Sequence, residues 1–324
     1  MTPTAADTTV DTFMPQSAEP LRRLFERLDP PFAALWSTHL SQLLTRPQLD
    51  TRTRFLVMIG QYTATGKTGQ LEEAIVAALR RGVVPADILE VILQCYVYTG
   101  PWPVAGACEV YERVLARAEW TDPPVTANVR PPRSLDEERT RWAPSDRADA
   151  RVAPLMERYG WQAIATGLRL RPAHHINLVD TLDALDPEYL QGWLDAIYGG
   201  MYGRQVLDDR TRILCVVGNT LALGEQHQSR RHMRSALRNG ATPKELLEVI
   251  FQTTGLFGHP NLMPAAIDDL LRIVDEEGRI GELVAAERID DIRRIVAARV
   301  ASRHGVGEIS FGEAGRQRPG ESKE

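Results

Sequence analysis

The chain has 324 residues and a formal net charge of −5, and its hydrophobic (43%) and charged (25%) fractions are typical of a globular protein. The acidic balance argues against a nucleic-acid-binding protein, and three cysteines without a CxxC pair exclude a disulfide scaffold or a zinc ribbon. No apolar run is long enough for a membrane span, and residues 1–20 are polar and acidic, unlike a signal peptide. We therefore expect a cytoplasmic protein of about two domains.

The chain contains an internal repeat. Leu49-Asp50-Thr51-Arg52-Thr53-Arg54 recurs as Leu207-Asp208-Asp209-Arg210-Thr211-Arg212, at an offset of 158 residues. The offset holds without a gap from Leu49–Leu115 onto Leu207–Ile273, with 22 identities in 67 positions. Upstream, Asp29-Pro30 matches Asp186-Pro187 with a slip of one residue. So long a period indicates two domain-sized copies rather than a solenoid.

The predicted elements are helical throughout. We place the first copy in residues 1–120, a proline-rich linker or wrapping arm in 121–150, the second copy in 151–301, and a flexible polar tail in 302–324. In the second copy, 208–224 forms an apolar helix, and 225–239 forms an amphipathic one that ends at Gly240. A capping box at Thr242–Glu245 with Pro243 at the first helical position begins a third helix, and 261–277 forms a fourth. The predicted fold class is therefore all-α.

Histidines distinguish the two copies. His227, His232 and His259 lie in the second repeat, whereas the first has glycine, alanine and proline at those positions. Glu225 is likewise replaced by lysine in the first copy. Either these are drifting surface positions, or the second copy carries a site and the first is a degenerate scaffold half. We favour the site, since histidine titrates near neutral pH and can act as a general acid or base.

Helical spacing groups part of this set. Glu225, Gln228 and His232 stand at i, i+3 and i+7, which places them on one helical face, with His227 at its edge. Arg231 lies on the same helix and could bind a substrate carboxylate. A two-histidine, one-carboxylate metal site is an alternative, which the five-residue spacing of His227 and His232 disfavours.

Other polar residues are assigned structural roles. Arg54 and Arg212 occur in both copies, which favours buried pairs with carboxylates such as Glu90 or Glu248. The three cysteines alternate with apolar residues and are expected in the core. We expect His174 and His175, next to a helix start, to have a surface capping role.

The repeat resembles a known family. The run Leu207–Arg212, then Leu223-Gly224-Glu225, the segment His232–Thr242, Glu248–Gln252 and Gly258 are similar to the carboxymuconolactone decarboxylase family, which includes the alkyl hydroperoxidase D proteins. The resemblance implies two compact all-α domains of the alkyl hydroperoxidase D type. It also implies ring-like assembly, in which the chain is equivalent to a fused dimer and three chains form a pseudo-hexamer.

The family contains two chemistries. Its peroxidase branch uses a CxxC pair before the histidine that matches His232, but Glu225 and Gln228 occupy those positions here. Thiol peroxidase activity is therefore disfavoured, because no thiol stands at the redox positions. The decarboxylase branch needs no metal or organic cofactor and acts on a small lactone carboxylate.

The resemblance implies roles for the candidate residues. His232 would deliver a proton to the enolate left by decarboxylation, His227 and Glu225 would tune or relay it, and His259, Gln228 and Arg231 would bind substrate. We expect a cofactor-independent lyase or isomerase with a small-molecule substrate, neither a nucleic-acid nor a membrane partner, and a homo-oligomeric assembly. The alternative is a non-catalytic ligand-binding or assembly module on the same fold.

Overall fold

The computed structural model describes residues 4–119, 133–172, 174–258 and 262–306, with side chains described as far as 302. These residues contain no β-strand, which confirms the predicted all-α class. Their α-helices, in chain order, are α1 Ala5–Phe13, α2 Ala18–Leu28, α3 Pro30–Leu44, α4 Thr51–Ala64, α5 Thr68–Arg80, α6 Pro85–Gln94, α7 Tyr96–Thr99, α8 Pro101–Arg117, α9 Leu135–Arg139, α10 Pro144–Ala148, α11 Val152–Tyr159, α12 Trp161–Leu170, α13 His175–Leu185, α14 Pro187–Trp193, α15 Asp209–Ala222, α16 Gln226–Arg238, α17 Pro243–Phe257, α18 Leu262–Glu276 and α19 Ile289–Val306.

Shorter helical segments complete this set. A π-helix, Leu194–Met201, continues directly from α14, and 3₁₀ turns at Ile280–Glu282 and Ala286–Arg288 precede α19. Among the helices of the described residues, none is both long enough and apolar enough to cross a bilayer.

The two copies use the same local signals to begin their helices. The side chain of Asp50 accepts a hydrogen bond from the Thr53 amide at the start of α4, and Asp208 accepts one from Thr211 at the start of α15. The predicted capping box is present at the start of α17, where Thr242 and Glu245 cap each other's backbone amides. These caps satisfy amides that have no partner within the helix, so the helix starts follow from local sequence.

Helices α4 and α15 pack against each other at the centre of the molecule. Gly60 and Gly218, equivalent in the two copies, lie at the closest approach. A Cβ added at Gly60 would stand 2.4 Å from Asn219 Oδ1, and one at Gly218 would stand 2.7 Å from Val57 Cγ1. Glycine at these positions allows two almost wholly buried helices to approach closely, and one hydrophobic core runs through both copies.

Buried ion pairs join the copies crosswise. Arg212 of the second copy contacts Glu90 of the first at 2.6 Å, and Arg54 of the first lies 3.5 Å from Glu248 of the second. A second arginine supports each glutamate, Arg204 for Glu90 and Arg46 for Glu248. The predicted arginine–carboxylate pairs are therefore present, but each connects one copy to the other.

The segment between the copies packs on the second copy. In its described part, α9 lies against α12, where Glu138 forms a buried ion pair with Arg169 at 2.7 Å. Asp209, at the start of α15, also bonds Arg169. Trp142 is buried beside them. This arm fixes the end of α12, which borders the cavity described next.

Candidate active site

A cavity of about 440 Å³ opens between α16, α12, the π-helix and α7. Its apolar wall is formed chiefly by Leu170, Trp193, Ile197, Ile213, Val216 and Leu223. Its polar groups are Tyr98, Arg171, Tyr198, Tyr202, Gln228 and His232, with Glu225 also lining it. An apolar hollow with a few convergent polar groups is the usual form of a small-molecule site.

A second hollow, of about 540 Å³, lies between α18 and α19. It is mostly apolar, and its charged side chains already pair with one another or with neighbours: Arg293 contacts Asp275 at 2.8 Å, and Arg272 contacts Asp269 at 3.0 Å. Among the described residues its wall has no histidine, cysteine or tyrosine, and those residues offer less for acid–base chemistry than the wall of the first cavity.

His232 lies on the buried face of α16. That face carries Ser229, His232, Met233 and Ala236, spaced so that one stripe of the helix packs inward. The His232 side chain is 5% exposed, and its Nε2 atom lies 3.1 Å from the hydroxyl of Tyr98. Burial, together with the charges of Arg171 and Arg231, lowers the pKa of His232 to about 3. The imidazole is therefore neutral at physiological pH.

Tyr98 comes from the first copy, on the short helix α7. Its hydroxyl lies 2.6 Å from the hydroxyl of Tyr202, so Tyr202, Tyr98 and His232 form a continuous hydrogen-bonded series. Burial raises the pKa of the Tyr98 phenol, which stays protonated. The first copy, which we expected to be a scaffold without a site, thus contributes Tyr98 to the wall of this cavity.

Tyr98, Tyr202 and Arg171 were missed at the sequence level. Tyr98 has a signal within the repeat, since the 158-residue offset pairs it with Leu256 of the second copy. Tyr202 and Arg171 lie outside the gap-free repeat and have no such signal.

The predicted site residues are only partly brought together. Gln228 and the exposed Glu225 line the cavity with His232, and Arg231 is half-buried close enough to lower the pKa of His232. His227 is exposed, is absent from the cavity wall, and lies with Nδ1 3.2 Å from Arg230 Nη2. His259 lies outside the described residues.

His175 differs from its predicted surface role. The side chain is 1% exposed, and its ring packs 4.5 Å from the ring of Tyr198 behind the cavity wall. Neither ring nitrogen has a hydrogen-bond partner, and burial lowers its pKa to about 3. The local sequence resembles a helix start, but the packing of α12 and the π-helix encloses the ring. His174 precedes α13 without a side-chain cap.

The cysteines lack the environment of a redox thiol. Cys95 and Cys215 are fully buried, and burial raises the pKa of both thiols. Asn219 Nδ2 donates to Cys95 Sγ at 3.3 Å, which ties that thiol into the contact between the copies. Within the described residues, no three histidine, cysteine, aspartate or glutamate side chains converge as a metal-ligand group.

The fold and the cavity define a class of protein: an all-α tandem repeat with a histidine and tyrosines in a pocket between its halves. The family model of the carboxymuconolactone decarboxylase family matches two regions, residues 30–108 and 187–268. The chain is also 32% identical over 98 residues to an uncharacterized 15.0 kDa protein in the nqo9-nqo10 intergenic region of Paracoccus denitrificans, which covers 30% of this chain and 72% of that protein. The chain belongs to the carboxymuconolactone decarboxylase family and carries two copies of its domain.

Proposed function

We propose that this protein is a cofactor-independent lyase or isomerase, with decarboxylation the first reaction to test, acting on a small lactone or carboxylate metabolite. The observation that carries the proposal is the contact of His232 with Tyr98 in the 440 Å³ cavity. Family membership supports the same class of chemistry. The buried, protonated thiols give no support to the peroxidase alternative.

Because His232 is neutral, its imidazole must take up a proton before it can give one to the substrate. In an isomerisation, its imidazole takes a proton from the carbon next to the substrate carbonyl and returns it to another carbon. In a decarboxylation, the bond to the carboxylate breaks, CO₂ leaves, and the electron pair forms an enolate that must be protonated. An anionic substrate beside His232 raises the imidazole pKa, so that the ring can bind the required proton.

The tyrosines act with His232. A Tyr98 hydroxyl that donates to Nε2 leaves the ring proton on Nδ1, and Tyr202 can donate to Tyr98 in turn. When substrate enters, the single proton of the Tyr98 hydroxyl turns from Nε2 to a carbonyl or lactone oxygen on which negative charge develops, and Nε2 is then free to exchange a proton with the substrate. Gln228 on α16 and Glu225, the residue that precedes this helix, also line the cavity. Roles for His227 and His259 stay predictions.

Turnover of a panel of small lactones and 3-oxo or unsaturated carboxylates tests this proposal, followed by CO₂ release and by deuterium incorporation from D₂O. We expect His232→Gln to lower the rate by about 10²-fold or more and Tyr98→Phe to lower it less. Tyr96→Phe is the matched control, because Tyr96 is an exposed tyrosine of the same short helix. Full turnover by His232→Gln would rule out the acid–base role. Binding without any proton exchange would favour the ligand-binding module instead.

A further inference from the structure

The buried arginines of the core have carboxylate partners. Arg212 contacts Glu90, Arg54 lies beside Glu248, and Arg169 contacts Glu138. Each of the three arginines is at most 1% exposed. A buried charge without a partner is strongly unfavourable, so this pairing is what physical chemistry requires.

Arg171 departs from this pattern. It follows α12 directly and lines the cavity, and its Nε atom is buried without a hydrogen-bond partner. No carboxylate of the described residues forms an ion pair with it; its guanidinium lies beside the hydroxyl of Tyr198 instead. The half-buried Arg231 also has no carboxylate partner in the part of the chain that the structure describes, and Arg171 contributes to lowering its pKa.

The positive field of Arg171 extends over the site. It contributes to lowering the pKa of His232, His175, His174 and His227, although burial is the first cause for all but His227. Glu225 lines the same cavity at an exposed position but forms no ion pair with Arg171. An anion bound at Arg171 would supply the partner that Arg171 lacks, and the guanidinium fork matches the geometry of a carboxylate.

We propose that Arg171 is the anion-binding residue of this cavity and that the ligand is a small monocarboxylate with an apolar, ring-sized body. Its carboxylate would lie at Arg171 and its body against Trp193 and Ile197, with the reacting end toward Tyr98 and His232. A single charge fits better than a phosphate dianion, because Arg171 is the arginine that lines the cavity among the described residues and Glu225, which lines it as well, repels a second charge. This inference rests on the proposed function for its site, and Arg171 lies outside both regions that match the family.

Direct binding of simple probes to the full chain, by calorimetry or ligand-observed NMR, tests this inference without turnover. The probes are benzoate, its neutral isostere benzamide, and phenyl phosphate. We expect benzoate to bind the wild-type protein, and Arg171→Met to weaken it by at least about tenfold, with Arg171→Lys between the two. Benzamide should bind weakly and without dependence on residue 171. Arg238→Met is the matched control, because Arg238 lies on α16 but pairs with Glu277 at 2.9 Å.

Three outcomes overturn the inference: no benzoate binding to the wild-type protein, equal binding to Arg171→Met, or tighter binding of phenyl phosphate than of benzoate. Arg171→Met should fold, since it removes a charge without a carboxylate partner; should it fail to fold, Arg171→Lys decides by the same comparison. His232→Gln separates this proposal from the proposed function, because it should keep benzoate binding within a few-fold. If His232 proved to have no catalytic role, the evidence that Arg171 binds benzoate would be unaffected. If Arg171 proved not to bind benzoate, the evidence on the role of His232 would likewise be unaffected.

Discussion

At the scale of single residues, burial has two different consequences for ionisable groups. Arg54 and Arg212 are buried in the core, and each lies against a glutamate of the other copy. In the part of the chain that the structure describes, no carboxylate forms an ion pair with His175 or His232, and burial keeps both rings neutral with pKa values of about 3. Neutral histidine is the lower-energy state there, because desolvation penalises the charged form.

Both histidines should therefore make the protein sensitive to acid. The folded-state pKa lies below the value of about 6.5 expected in the unfolded chain, so below pH 6.5 the unfolded state binds more protons. Stability is fully present above pH 6.5 and falls as the pH drops. Each histidine contributes about 1.4 kcal/mol per pH unit between roughly pH 6 and pH 4. Urea unfolding at several pH values across this range measures the slope.

The variant His175→Leu should reduce that slope, since it removes one of the two buried rings. His39→Leu is the control, because His39 is exposed on α3. Identical slopes for His175→Leu and the wild-type protein would show that His175 takes up no extra proton on unfolding.

At the scale of elements, the π-helix accounts for the slip in the repeat. Asp29 and Asp186 cap α3 and α14 in the same way, at an offset of 157, yet Leu49 and Leu207 stand 158 apart. The second copy therefore has one extra residue between these points, and helix α3 has no π segment whereas Leu194–Met201 does. An inserted residue in a helix is typically absorbed in this way, often at functional sites. Here it brings Tyr198 and Tyr202 to the cavity wall.

Deleting Gly200 should convert this segment to an ordinary α-helix. Gly200 is exposed, so the deletion removes no core side chain, but it shortens the separation of Tyr198 and Tyr202 from four residues to three and so changes their relative direction. We expect a folded, helical protein whose ligand binding falls by at least about tenfold, because the Tyr98–Tyr202 contact is lost. Circular dichroism and probe binding measure the two effects.

Gly192→Ala is the control for this deletion, since an added Cβ meets nothing within 4 Å and the register is kept. Wild-type binding by the deletion variant would show that the π-helix is incidental to the site.

At the scale of the whole molecule, the two copies form one body around a pseudo-twofold axis. The crossed arginine–glutamate pairs are matched by crossed polar contacts, in which Gln61 donates to Thr253 at 2.6 Å and Asn219 donates to Cys95 at 3.3 Å. These contacts hold α7 of the first copy against the cavity of the second. The site therefore requires both copies, although its histidine lies in only one.

Exposed apolar side chains also occur at equivalent positions of the two copies. Leu28 and Leu185 occupy equivalent positions and are 70% and 75% exposed, and Phe32 and Tyr189 form a second exposed pair. Paired apolar patches on both copies favour self-association. We propose that the patches contact those of neighbouring chains in a homo-oligomer, with three chains forming a ring of six domains. Light scattering after size exclusion should then give about three times the chain mass of 36.2 kDa.

The double variant Leu28→Glu with Leu185→Glu should reduce the assembly to single chains with unchanged helicity, because two charges would be buried at each contact. Ile295→Glu, on α19 outside the repeat, is the control and should leave the mass unchanged. A wild-type protein that elutes as a single chain would contradict the proposed assembly.

The all-α class, the duplication and the main helix boundaries of the second copy follow from the amino-acid sequence alone. Caps such as Asp208 and Thr242–Glu245, and the 3.6-residue apolar period, act over a few residues and are visible in a linear pattern. His232 can also be identified from the sequence, because the first copy has an alanine at the equivalent position. The structural role of Arg54 and Arg212 followed from their presence in both.

Which residues contact one another depends on how the helices pack. Several contacts depend on helices that are far apart in sequence. They are the pairing of each arginine across the copies, the contact of Tyr98 with His232 and the enclosure of His175. The position of Arg171 in the cavity wall, with no ion pair to a carboxylate of the described residues, is another. Such contacts are set by how α4 packs on α15 and how the arm fixes α12, and no local pattern records them. The chemistry of the site is thus a product of packing, whereas the helices that build it follow from local sequence.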